Sequence, residues 1–178
     1  MIRQETSLPH KGIATFCKAA CVPDLSQLDA DVGVIGVPTD FAVSMRPDCR
    51  QAPQTIRDAS TRSGWLGAPT GSAGCFDVNT REFRMPHMRI AGCGDMDTVF
   101  SDDERIHWRI EAIVCLVLDR GTIPLNLGGD HSISCPAKRA FEQFAPLTIV
   151  LIDARLDYRD RFLGLLSPTT ARSAVLEN

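Results

Sequence analysis

Residues 125 to 157 constrain this chain more than any other stretch. An apolar run ends at Leu127 in Gly128-Gly129-Asp130-His131-Ser132, a helical pattern follows, and a second apolar run from Leu147 to Ile152 ends in Asp153-Ala154-Arg155-Leu156-Asp157. Apolar runs without alternation suit strands covered on both faces, as in a parallel sheet. In such sheets ligands bind outside the carboxyl ends of the strands, and here those ends deliver an imidazole and several carboxylates. That donor chemistry suits a divalent ion such as Mn²⁺, and a set without cysteine argues against structural zinc or an iron–sulfur centre.

The rest of the chain repeats the pattern. Asp31 to Val37 is a short β-branched run ended by Pro38, and Met88 to Gly92 is another, followed by Asp95 and Asp97. A third covers Thr122 to Leu127. Ser101 and Glu104 read as a capping box for a helix in which Ile106, Ile110, Ile113 and Val117 recur at helical spacing until Gly121. His107 and Trp108 fall beside that face and read as partly buried packing residues. Pro53 opens a helix to about Arg62, and Pro136 opens one whose apolar face is Ala137, Ala140, Phe141 and Phe144. Residues 38–52, with two prolines and no period, form a long loop leaving a buried strand, a common place for function. Residues 64 to 86 are mostly loop with one short strand near Phe76 to Val78.

Strands alternating with helices predict a single α/β domain with a mostly parallel sheet. Residues 1–30 lack a period and hold Pro9, Gly12 and Pro23, so they read as an irregular N-terminal arm. The α/β domain covers 31–165, and 166–178 is a divergent tail. The predicted strand ends carry Asp40, Asp95 with Asp97, Asp130 with His131, and Asp153 with Asp157, and are expected to converge on one acidic rim.

The formal charge of −3 without a basic block leaves out the electrostatic footprint of a nucleic-acid binder. No apolar run approaches the roughly 20 residues that cross a bilayer, and the first twenty residues lack the apolar core of a secretory signal. The seven cysteines are scattered, without a C-x-x-C pair, so they read as reduced thiols of a cytoplasmic protein. Cys17 and Cys21 are assigned to packing. A small-molecule ligand is the expected partner. No G-x-G-x-x-G follows the first strand, which sets aside a dinucleotide binder.

Each piece of the rim also has a plainer reading. Asp130 caps a turn, Asp157 caps a following helix, and His131 alone is a satisfied turn residue. Delivered together after two strands, they point to a site that lowers the pKa of a metal-bound water for hydrolysis of a C–N or P–O bond.

The spacing of Gly128-Gly129-Asp130-His131-Ser132 and Asp153-Ala154-Arg155-Leu156-Asp157 resembles the paired signature of the ureohydrolases: arginases, agmatinases, guanidinobutyrases and formiminoglutamases. Gly36-Val37-Pro38-Thr39-Asp40, Arg46-Pro47 and Ile56-Arg57-Asp58-Ala59-Ser60 resemble the agmatinase-type opening. The resemblance implies a three-layer α/β/α fold and a pair of Mn²⁺ ions bridged by a hydroxide that attacks a guanidinium carbon, releasing urea and an amine. By that resemblance His131 and Asp157 would serve the first metal, Asp153 would bridge both, and Asp130 would orient the site from behind.

Departures from the pattern limit what is implied. Where the family places a histidine ligand, this chain has Arg155, which has no lone pair to donate. Its fixed charge at about 4 Å from a dication, at an effective dielectric near 20, costs around 4 kcal/mol per unit charge. At most one Mn²⁺, weakly held, is expected. The family's proton-shuttle histidine has no counterpart, since His131 is the last histidine, so no catalytic residue is assigned. The later aspartate cluster is also missing, which implies a truncated fold corresponding to the N-terminal half. The resulting expectation is an agmatinase-like hydrolase, acting in the family on guanidino compounds such as agmatine, that is inactive or severely impaired as this chain. The alternative is a non-catalytic paralogue that associates with intact ureohydrolase subunits and modulates them. Loss of the neighbour to an apolar strand at Leu147 to Ile152 implies a homo- or hetero-oligomer, or else a fragment or degraded gene product.

Overall fold

A computed structural model describes residues 12–43, 46–63, 75–98 and 102–153, and the short strands at 161–162 and 165–166. The chain divides into two compact units: Met1–Gly36 with Pro53–Asp95 and Val117–Leu127, and Val37–Ala52 with Met96–Leu116 and Gly128–Asn178.

The first unit is built on a sheet of β1 (Ala20–Cys21), β2 (Val32–Val37), β5 (Ile90–Asp95) and β6 (Ile123–Gly128), in the order β1-β5-β2-β6. β1 and β2 both run parallel to β5, with Ala20 and Gly33 each opposite Ala91. Every residue from Gly33 to Val37 is buried, which is why this run shows no polar alternation. A Cβ at Gly33 would lie 3.3 Å from the Val117 side chain and 3.4 Å from that of Thr122. Thr122 Oγ1 meanwhile donates to the Ala30 carbonyl at 2.8 Å. Between β2 and β5, β3 (Cys75–Asp77) and β4 (Glu82–Arg84) form an antiparallel hairpin, so the single strand expected near Phe76 acquires a partner.

The N-terminal segment is more than an arm. Ala20–Cys21 is a strand of the sheet, Cys17, Ala19, Leu28 and Ala30 are buried, and the Cys17 N–H donates to Ser60 Oγ at 2.8 Å. A two-residue strand leaves no periodicity to read, so its place in the sheet is invisible in the sequence.

Helix α1 (Ala52–Ser60) begins beside the buried Pro53, as expected. Helix α2 (Asp103–Leu118) buries Ile106, Ile110, Val114 and Val117 to 1% exposure or less; Val114 takes the place expected of Ile113. Its N-terminal cap is Asp102, whose Oδ1 accepts the Arg105 N–H at 2.9 Å. Ser101 lies outside the described residues. The helix stops where Gly121 adopts φ +68° and its N–H reaches the Leu118 carbonyl. Trp108 departs from expectation, being 68% exposed, while His107 is 6% exposed.

In the second unit, α3 (Ser134–Ala140) starts two residues before Pro136 and ends before Phe141. Phe144 is exposed, so the predicted apolar face is only partly buried. The predicted strand at Leu147 to Ile152 does not form: the run has no ladder pairing among the described residues, with Val150 80% and Ile152 95% exposed. Hydrophobicity alone cannot make a strand, because the backbone N–H and C=O groups need a ladder partner, and among the described residues none is bonded to this run. Arg161–Phe162 and Leu165–Leu166 form a short antiparallel pair.

Candidate functional site

The Gly-Gly-Asp-His-Ser turn lies in the second unit, after the end of β6. Gly129 has φ +28°, and a Cβ there would sit 2.6 Å from the carbonyl oxygens of Val37 and Thr39. Only glycine fits so close an approach. The backbone is held by the Asp130 N–H donating to the Thr39 carbonyl at 3.0 Å. Asp130, 8% exposed, accepts the Ser132 N–H at 2.8 Å on Oδ1 and the Ala42 N–H at 3.1 Å on Oδ2. One carboxylate therefore caps its own turn and ties down the loop after β2. The cap reading and the positioning reading describe the same side chain.

His131 begins a single turn of 3₁₀ helix, and its Nδ1 lies 3.6 Å from Asp153 Oδ2, with both side chains about one-third exposed. That separation is long for a direct hydrogen bond. Two ligands each about 2.1 Å from one ion lie roughly 3 to 4 Å apart, so these two donors fit a shared ion by distance. Among the described residues, however, no group of three His, Cys, Asp or Glu side chains is placed to hold a metal. Asp157 and Arg155 lie outside the described residues. Two donors fall short of what a hard dication requires.

Two of the strand-end carboxylates, Asp40 and Asp95, are engaged by arginines. Asp40 is bound by Arg50, with Nη2 at 2.7 Å from Oδ1 and Nε at 2.7 Å from Oδ2, and it also accepts the Asp48 N–H. The Arg50 guanidinium holds the Asp40 carboxyl below the usual aspartate range. In the first unit, Asp95 is clasped by both terminal nitrogens of Arg57. These carboxylates are already neutralised by guanidinium partners, which the strand-end positions alone did not reveal. Arg50 was the missed participant; its only sequence signal is a place in the proline-containing loop ten residues after Asp40. Thr39 was also missed, a buried residue whose Oγ1 has no hydrogen-bond partner among the described residues. Cys49 packs its Sγ 3.4 Å from the Thr39 carbonyl. Burial first, then the charges of Asp130 and Asp40, push its thiol pKa up, so it is not an activated nucleophile.

A parallel-sheet α/β fold with a Gly-Gly-Asp-His-Ser turn after one of its strands defines the class of this protein. The sequence matches the Arginase family over residues 30–176. The chain belongs to the arginase family. It is 33% identical to a guanidinobutyrase of Pseudomonas aeruginosa over 94% of this chain and 50% of that protein. It is 36% identical to an agmatinase of Neisseria meningitidis over 74% of this chain and 40% of that one. The structure superposes on proclavaminate amidino hydrolase from Streptomyces clavuligerus with a TM-score of 0.71 at 30% identity, covering 88% of this chain and 48% of that structure. The chain spans about half the length, or less, of the relatives it matches. Among the described residues no helix is long and apolar enough to cross a membrane.

Proposed function

We propose that this chain carries the N-terminal part of an agmatinase-type ureohydrolase site whose hydrolytic capacity is severely impaired in the 178-residue form. The reaction is addition of water across a guanidino C–N bond, converting a guanidinium compound such as agmatine to urea and an ammonium product. The observation that carries the reading is the His131–Asp153 approach of 3.6 Å directly after the Asp130 turn. His131, Asp153 and Asp157 would hold one Mn²⁺, which when bound supplies an activated water. Asp130 fixes the turn that presents His131. By the family resemblance, Arg155 takes a sequence position at which a second ion would need a lone pair. A cytoplasmic location accords with seven cysteines present as thiols rather than disulfides.

A second reading, association with intact ureohydrolase subunits without catalysis, is favoured by the exposed run Ile149 to Ile152. The 178-residue chain, assayed with Mn²⁺ and agmatine or 4-guanidinobutyrate, is expected to release urea at background. It should bind no more than one equivalent of Mn²⁺ by electron paramagnetic resonance, lost in His131→Ala and Asp153→Ala. Robust Mn²⁺-dependent urea release overturns the impairment. Co-elution with a full-length relative in size exclusion supports the second reading, and separate elution counts against it.

A further inference from the structure

The parallel sheet ends at β6, which has β2 on one side and no strand on the other among the described residues. The Ile123 N–H donates to the Asp31 carbonyl, just before β2, at 2.9 Å. Backbone groups alternate sides along a strand, so Ile123, Leu125 and Leu127 address β2 while Pro124, Asn126 and Gly128 turn outward. Pro124 has no N–H to donate, and a sheet tolerates such a residue at its edge. The outer side therefore offers the Pro124 carbonyl, both backbone groups of Asn126 and the Gly128 N–H. Beside them Ile123 is 65% and Leu125 39% exposed. No charged side chain on β6 guards this edge against an added strand.

The same chain holds a segment that lacks what this edge supplies. The run 147–152 matches the six residues of β6 in length, and its sequence, Leu-Thr-Ile-Val-Leu-Ile, is uncharged and rich in strand-favouring side chains. Ile149, Val150, Leu151 and Ile152 are all exposed, so neither of the two faces that alternate along it is covered. Its backbone has no ladder partner among the described residues. An open edge recruits a chain that brings unpaired N–H and C=O groups, together with apolar side chains to cover its own. The run brings both, and the edge returns both.

We propose that the outer edge of β6 takes the 147–152 run of a second copy of this chain as an added strand. The contact joins two different surfaces, so it closes a dimer when it is reciprocal and extends an open assembly when it is not. It goes beyond association with intact ureohydrolase subunits, and it rests on neither metal binding nor hydrolysis. Sedimentation velocity on the 178-residue chain tests it with Ile123→Lys, which charges the edge, and Val150→Lys, which charges the run. Both side chains are exposed, and unchanged circular dichroism verifies folding; Leu125→Lys or Ile152→Lys replaces a variant that does not fold. The parent is expected at two chain masses or more. Each variant alone lacks either the edge or the run, and is expected at the 19.5 kDa of one chain. Mixed in equal amounts, the variants regain one junction, the run of the Ile123→Lys chain on the edge of the Val150→Lys chain, and a species of two chains should return. A parent that sediments as one chain, an Ile123→Lys variant that self-associates as the parent does, or a mixture no heavier than its parts overturns the proposal.

Discussion

Asp40 and Arg50 close the loop between β2 and α1 with a bidentate pair, two contacts of 2.7 Å, and the Asp40 side chain is only 4% exposed. Asp40→Asn keeps the shape but loses the charge that both guanidinium nitrogens address. Unfolding midpoints in urea should fall by an amount corresponding to about 1–3 kcal/mol. The same pair sets an acid limb. Since the Asp40 pKa is lowered in the fold, its contribution is complete above the unfolded value, about 3.9, and is lost as pH falls through that value toward the folded one. A urea series from pH 5 to pH 3 should show a smaller loss for Asp40→Asn than for the parent; parallel curves would contradict it.

Gly129→Ala tests the tightest approach in the turn. The added methyl would meet the Val37 and Thr39 carbonyl oxygens at 2.6 Å, and the residue already lies at positive φ. Overpacking and backbone strain together suggest a loss of about 2–4 kcal/mol. By contrast, Gly94→Ala, at φ +82° with nothing within 4 Å of its would-be Cβ, should cost only about 1 kcal/mol of backbone strain. Comparable losses at the two positions would show that the clash at Gly129 is relieved elsewhere.

The parts of the fold legible in the sequence were those fixed by local pattern. The buried run at Val32–Val37 and the four-residue recurrence of Ile106 and Ile110 state their period openly, and Gly121 marks a stop that only a positive φ explains. What stayed hidden was pairing between distant residues. Nothing local announces that Ala20 lies opposite Ala91, that Arg50 neutralises Asp40, or that Arg57 clasps Asp95. Leu147 to Ile152 shows the converse: strong β propensity reports a residue's preference for a covered, paired setting, not whether a partner strand adjoins it. For the site, the Asp130-His131 turn and the nearness of His131 to Asp153 followed from the motif. The pairing of Asp40 with Arg50 and of Asp95 with Arg57 did not.

Arg155→His should separate metal binding from turnover. If Arg155 takes the ligand position that the resemblance implies, replacing its fixed cation with a neutral imidazole removes a repulsion of several kcal/mol by order of magnitude and adds a donor. Mn²⁺ affinity is expected to rise about tenfold or more in a paramagnetic titration. Urea release should stay at background, as the proposed impairment requires. Urea release restored by this single change would mean that the ligands present suffice.

Val150 and Ile152 are 80% and 95% exposed within a continuous apolar run. Such a run with unpaired backbone favours self-association. The double change Val150→Lys with Ile152→Lys should lower the weight-average mass in sedimentation velocity and the fluorescence of a bound apolar dye. Because neither side chain is buried, the urea midpoint should shift by no more than about 0.5 kcal/mol. A clear loss of stability would indicate that the run is packed in solution.

His107 provides a pH test away from the carboxylates. Burial is the main cause that lowers its pKa from 6.5; the Arg139 charge acts in the same direction, while Asp103 and Asp130 oppose it. For a base whose folded pKa is depressed, the unfolded chain takes up the proton first. Stability is therefore complete above about 6.5, declines as pH falls below that value, and stops declining once pH passes the folded pKa. His107→Leu removes the titrating ring and also the unpartnered Nδ1. Urea midpoints of the parent should fall from pH 7 to pH 5 by more than those of His107→Leu. If the difference between the curves is independent of pH across that window, the His107 ring is reached by solvent or by a donor that satisfies it when charged.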